Sequence, residues 1–307
     1  MFDWLERGQA DAVEAIVAAL KANLASPALQ ERGARALATL TRSKSKRDRA
    51  GRAGAVQAIV ATMHRHMSIA NVMEPCCRAL SIMTFANADN SIKAGSAGAI
   101  ECVVAAMRAH AGHTKVQKYG CEALCNMTFK NADNAIKAGS AGAVECVVAA
   151  MRAHADHAGL QEKGCGALGN MTCNNADNQI EAGSASAVDC VVAAMRAHAD
   201  NAGVQLFCCL ALRIMTKNAD NKIKAGSAGA VECAVTAMRA HAGDAYVQTC
   251  GCSALGSMTA DNADNQTKAG SAGAVECVVA AMRAHSGRAD LQAYGHTLLD
   301  SLSEAVN

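Results

Sequence analysis

Apolar residues recur along this chain at helical spacing, in blocks that themselves recur. In residues 143–154, Val144, Val147, Val148 and Met151 fall at i, i+3, i+4 and i+7, which gathers them on one face of a helix. A following block puts Leu160, Gly164, Ala167, Leu168 and Met171 on one face after the polar stretch "ADHAG". A shorter helix precedes both: Asp133 or Asn134 is expected to cap it, Ile136 to point inward and Gly139 to end it. One short helix and two longer ones therefore form a unit.

That unit returns down the whole sequence. Gly8, Gly51, Gly95, Gly139, Gly183, Gly226 and Gly270 mark its beat, 43 or 44 residues apart. A fixed period of this length means stacked repeats, each with an apolar face that only its neighbour can cover. The expectation is a single all-α domain over residues 1–307, a right-handed α-solenoid of about seven three-helix units spanning 2–41, 42–85, 86–129, 130–173, 174–216, 217–260 and 261–303. Trp4 and Leu5 in a shortened opening helix, and Thr267 where other units carry the isoleucine, read as end caps of a complete array.

Composition says what fills the core. Hydrophobic residues are 51% of the chain but aromatic ones only 3%, so Ala, Val, Cys, Met and Leu must pack closely. Most of the 15 cysteines fall into two columns, Cys102, Cys146, Cys190, Cys233, Cys277 and Cys77, Cys121, Cys165, Cys209, Cys252. Recurrence at equivalent helix positions fits thiols buried as small hydrophobes in a reducing compartment better than disulfides. A second glycine column, Gly33, Gly120, Gly164, Gly251 and Gly295, with Cys76 and Cys208 at the remaining places, sits inside the third helix. Mid-helix glycine costs roughly 0.5–1 kcal/mol relative to alanine, so this column predicts close helix contact. The net charge of +2 gives no global attraction to nucleic acid or anionic membrane, and no apolar run is long enough for a membrane span. A soluble, cytoplasmic protein is expected, with the nucleus as second choice.

At the level of motif the units resemble the armadillo repeat. Asn134 and Ile136 precede Ala141, Gly142, Ala143 and Val144, then come Leu160 and Gln161, then Ala167, Leu168, Gly169 and Asn170. The resemblance implies that the third helices line a concave groove, where an asparagine near the end of each holds an extended peptide, helped by a tryptophan one turn earlier. Here the asparagine column reads Thr39, Ile82, Asn126, Asn170, Ile214, Ser257 and Ser301, so Asn126 and Asn170 are the matching candidates. Arg35, Arg78, Glu122, Gly166, Leu210, Ser253 and Thr297 occupy the tryptophan column, with Glu122 one turn ahead of Asn126.

Two units depart from the pattern. The fifth carries "VQLFCCLALRIMT", which makes Leu206, Leu210 and Ile214 apolar at groove positions with Phe207 beside them. A helix apolar all round should be covered, by a partner's side chains or by another copy of the chain. The second has "SKSKRDRAGRA" and gathers Arg42, Lys44, Lys46, Arg47, Arg49 and Arg52 around the acid Asp48, a cluster suited to phosphate groups or nuclear import but more often a solvated face.

Catalytic chemistry finds no foothold. The histidines His66, His110, His154, His198, His241 and His285 stand at the ends of second helices, where they serve the helix carbonyls. No paired Cys-x-x-Cys, phosphate loop or nucleophile elbow is present. The sequence thus predicts a non-catalytic binding scaffold with no cofactor or metal, engaging a protein or extended peptide through the groove. Nucleic acid is not favoured. A subunit of a permanent assembly or a homo-oligomer, joined through the fifth-unit patch, is the alternative.

Overall fold

A computed structural model describes residues 11–304, and within them twenty helices and no strand. They fall into repeats of an opening, a middle and a closing helix. In the first repeat the middle and closing helices are Asp11–Ala22 and Pro27–Leu40; Trp4, Leu5 and Gly8 lie outside the described residues. Repeat 2 comprises Lys44–Ala53, Ala55–His66 and Ala70–Thr84, and repeat 3 Ala88–Ser96, Ala99–Ala109 and Thr114–Thr128. Repeat 4 runs through Ala132–Ser140, Ala143–Ala153 and Ala158–Thr172, and repeat 5 through Ala176–Ser184, Ala187–Ala197 and Ala202–Met215. Ala219–Ala228, Ala230–Ala240 and Ala245–Thr259 form repeat 6; Ala263–Ser271, Ala274–Ala284 and Ala289–Glu304 form repeat 7. The chain divides into two compact units, Met1–Ala153 and His154–Asn307.

The middle and closing helices bury the residues their spacing predicts. Val144, Val147, Val148 and Met151 are at most 2% exposed, and Leu160, Ala167, Leu168 and Met171 are wholly buried. Glycine in the closing helix marks the close contact expected of it. A Cβ on Gly120 would overlap the side chain of Met107, one on Gly251 that of Met238, and one on Gly295 that of Met282.

The opening helix is built differently from its sequence reading. Its cap is Asn131, whose side chain accepts from the Asn134 backbone N–H at 3.0 Å, rather than Asp133 or Asn134. It ends not at Gly139, which is still helical, but ahead of Gly142, whose φ of 68° is the left-handed turn that glycine tolerates best. Gly54, Gly98, Gly229 and Gly273 do the same in their repeats, and in repeat 5 Ser186 takes that conformation at φ 57°.

Ile136 does not point inward; it is 57% exposed. The inward places belong to Asn134, Ala135 and Ala138, and at 3.6 residues per turn Ile136 lies about 150° around the helix from their centre. Ile92, Ile180 and Ile223 are likewise exposed, so Thr267 replaces an outward isoleucine.

Asn134 fills the core instead. Its amide donates to the Ser91 carbonyl of the preceding repeat (2.9 Å) and to the Met127 carbonyl of the preceding closing helix (2.8 Å). Asn90 bridges Arg47 O and Met83 O in the same way, and in the second unit Asn221 bridges Gln179 O and Met215 O. This explains the glycine beat: a Cβ on Gly51, Gly95, Gly183 or Gly226 would overlap the Oδ1 of Asn90, Asn134, Asn221 or Asn265. The lysines of the same motif follow suit, Lys93 Nζ reaching Gly51 O at 3.0 Å and Lys137 Nζ reaching Gly95 O at 2.8 Å.

Candidate interaction surfaces

Closing helices pack flank to flank within each unit, and their outward faces carry the residues expected to meet a partner. In the first unit that face is knitted together by its own side chains. Arg35 pairs with Glu31 (3.1 Å) and reaches Glu74 (3.8 Å), Arg78 lies over the Tyr119 ring (5.6 Å), and Ser81 Oγ is 3.4 Å from Glu122 Oε2. Asn126 donates its amide to Ser81 O at 2.8 Å, a bond to the preceding closing helix. Asn170, in the second unit, is half-buried.

The apolar patch of repeat 5 is smaller than its sequence suggests. Ile214 is only 8% exposed, because neighbouring Gly169 leaves room for it: a Cβ on Gly169 would stand 3.7 Å from Ile214 Cδ1. Leu206, Phe207 and Leu210 remain half-buried, with the Lys163 ammonium 5.9 Å from the Phe207 ring centre.

Nor do the six cations of repeat 2 form one open patch. Arg47 is 8% exposed, donates to Arg42 O at 2.6 Å, stacks over Phe85 at 5.6 Å, and buries its Nε without a hydrogen-bond partner. Arg49 pairs with Glu14 at 2.7 Å and Lys44 with Asp48 at 3.3 Å. Of the six, Arg42, Lys44 and Arg52 are exposed. Arg49 is drawn in by Glu14 of the preceding repeat, and Arg47 by Arg42 O and Phe85 within its own, contacts that the sequence alone does not display.

Histidines and arginines are straps between repeats. His66 Nε2 lies 2.7 Å from Leu24 O, His110 Nε2 2.7 Å from Met67 O and His241 Nε2 2.8 Å from Ala199 O, so each ring donates backward to a loop carbonyl. Arg108 reaches forward to Ala141 O and Gly142 O, and Arg239 to Ala272 O and Gly273 O. The arginine bonds satisfy the carbonyls of the left-handed turns and the histidine bonds those of the loops after the middle helices, with the neighbouring repeat as the beneficiary rather than the residue's own helix.

The cysteines are free thiols, most of them buried in the core, with Cys173 exposed. Burial pushes Cys77 and Cys252 up to about 12, and Cys102 and Cys146 up to about 11, so they stay protonated near neutral pH and lack thiolate reactivity. Among the described residues no group of three or more His, Cys, Asp or Glu side chains is placed to hold a metal ion, and no helix is long and apolar enough to cross a membrane.

Neither a family profile nor a curated protein sequence matches the chain. Solved structures do. An engineered protein superposes with a TM-score of 0.80 at 21% identity, over 95% of this chain and 68% of its own. A designed armadillo repeat protein gives 0.67 at 18% identity, over 80% of this chain and 99% of its own. The fold is that of the armadillo repeat. A second designed armadillo repeat protein, in complex with the peptide (KR)4, gives 0.66 at 18% identity over 80% and 99% of the two chains. The opening helix is the short one of each repeat, and it is on it, and at the end of the closing helix before it, that sequence reading missed the exposed residues Ile92, Ile136, Ile180 and Ile223 and the residues Phe85 and Phe129, each 55–58% exposed. The available signal was the polar side chain two positions before each isoleucine, which competes with it for the inward face.

Proposed function

We propose that this chain is a non-catalytic scaffold that binds a protein or extended peptide on the face formed by its closing helices. The observation that carries the reading is the half-buried trio Leu206, Phe207 and Leu210, in which Leu206 and Leu210 stand where other repeats place polar or small residues. An apolar side chain of a partner would complete the burial of that trio. Asn170 of the same unit would supply a polar contact; in the first unit, considered by itself, Glu122 and Asn126 are the corresponding polar residues, and with its amide committed to Ser81 O, Asn126 would offer its Oδ1. Binding of a peptide by a designed armadillo repeat protein supports the mode in kind, not in sequence.

The test is binding of the chain to an array of peptides that differ in apolar and charged content. Peptides with bulky apolar residues should be retained, and Leu210→Asp should weaken them at least tenfold, about 1.4 kcal/mol, with helical content unchanged. Indifference of the wild-type chain to every peptide, or equal affinity of the variant, rejects the reading.

A further inference from the structure

A different face of the molecule is left open in the first unit. The opening helices Ala88–Ser96 and Ala132–Ser140 lie side by side, joined by the Asn134 and Lys137 bonds to Ser91 O and Gly95 O. Each turns the same three residues to solvent: Asp89, Ile92 and Ser96 on one, Asp133, Ile136 and Ser140 on the other. Just before each helix stands an exposed phenylalanine, Phe85 at 58% and Phe129 at 55%. The Arg47 guanidinium of the preceding opening helix lies 5.6 Å from the Phe85 ring, which places that ring on the same edge. Four large apolar side chains are thus exposed in two successive repeats, and repeat 2 ends the row by putting Asp48 in the isoleucine position.

The order of the exposed triplet restricts what can cover it. Along a helix rising 1.5 Å per residue, Asp133 lies about 4.5 Å before Ile136 and Ser140 about 6 Å after it. The three fall within roughly 60° of arc, so they share one face. When two such helices lie antiparallel, isoleucine meets isoleucine, and each aspartate comes opposite the serine of the other helix, a hydroxyl donor for its carboxylate. Successive repeats must be matched at the helix spacing of about 8–10 Å, and another copy of the chain carries that spacing by construction. An acid beside every isoleucine opposes an anionic bilayer or an acidic segment.

We propose that this face docks a second copy of the chain through a two-fold contact, with the opening helices of repeats 3 and 4 antiparallel to their own counterparts. Such an isologous interface needs a self-complementary surface, which the Asp, Ile, Ser triplet provides. It uses a face other than the closing-helix surface, so the two readings stand or fall separately.

Sedimentation velocity of the full chain over a concentration series should show a monomer–dimer equilibrium, and Ile92→Lys with Ile136→Lys should weaken it at least tenfold while circular dichroism stays unchanged. A second measurement does not depend on those variants. In a Cys173→Ser background, which removes an exposed thiol, Ile136→Cys should cross-link rapidly to its own counterpart on mild oxidation, giving twice the monomer mass. Tyr246→Cys, at a residue 63% exposed in the other unit, serves as control. The proposal is overturned if the wild-type chain stays monomeric throughout, if the double variant dimerises as well as wild type, or if Ile136→Cys cross-links no faster than the control.

Discussion

A single buried amide shows how this fold is held. Asn134 Nδ2 serves two carbonyls of the preceding repeat region at 2.9 and 2.8 Å, while its backbone N–H is held by the cap Asn131. The two asparagines sit three residues apart and look alike in sequence, yet their energetic roles differ. Replacing Asn131 by alanine removes a helix cap, worth about 1 kcal/mol. Replacing Asn134 removes both bridging hydrogen bonds in the interior and opens space against Gly95, so Asn134→Ala should cost about 2 kcal/mol or more. Urea denaturation of the two variants should rank them in that order; equal losses would show that the bridge is dispensable. Local pattern reads Asn134 as a cap, because an Asn at the start of a helical block is the ordinary signal for one. Its inward position is set by a neighbour more than 40 residues away.

At the scale of the element, the joint between opening and middle helix is the recurring device. A left-handed residue ends the first helix, and an arginine from the preceding repeat binds the carbonyls it turns outward, as Arg108 does at Gly142. Glycine meets the backbone requirement in five described repeats, whereas Ser186 meets it at φ 57°. A non-glycine residue in that region carries a penalty of about 1 kcal/mol. Ser186→Gly should therefore raise stability by about that amount and lift the thermal midpoint; a fall in the midpoint would mean that the serine side chain contributes more than the strain removes. The same elements set the exposed face. In a helix of nine residues packed by three small or polar side chains, the isoleucine has nowhere to go but out.

For the chain as a whole, protonated thiols are buried among the aliphatic and methionine side chains of the core, and this gives it an alkaline limit. The ordinary thiol value is 9.0, and burial raises Cys77 and Cys252 to about 12 and Cys102 and Cys146 to about 11. Their protonated form is favoured by folding, so their contribution is fully present below pH 9, where the unfolded chain also keeps its protons. Above that value the unfolded chain ionises first, and stability should fall steadily between about pH 9 and 12. Calorimetry under reducing conditions should show a midpoint level to about pH 8 and declining beyond 9. On the proposal that residues 1–307 are one domain it should also show one transition; two resolved transitions, or a midpoint flat to pH 11, would count against the respective claim. Helix number, repeat length, the buried stripes of the middle and closing helices and the small-residue column all followed from the sequence, because they rest on spacing within one element and on repetition. What decided the rest was packing between repeats: Asn134 rather than Ile136 turned inward, Ile214 settled over Gly169, and Arg49 was drawn to Glu14. A periodic sequence states which side chains share a helix face, but which face points inward depends on the space that the adjacent repeat leaves, and that is a property of the assembled stack.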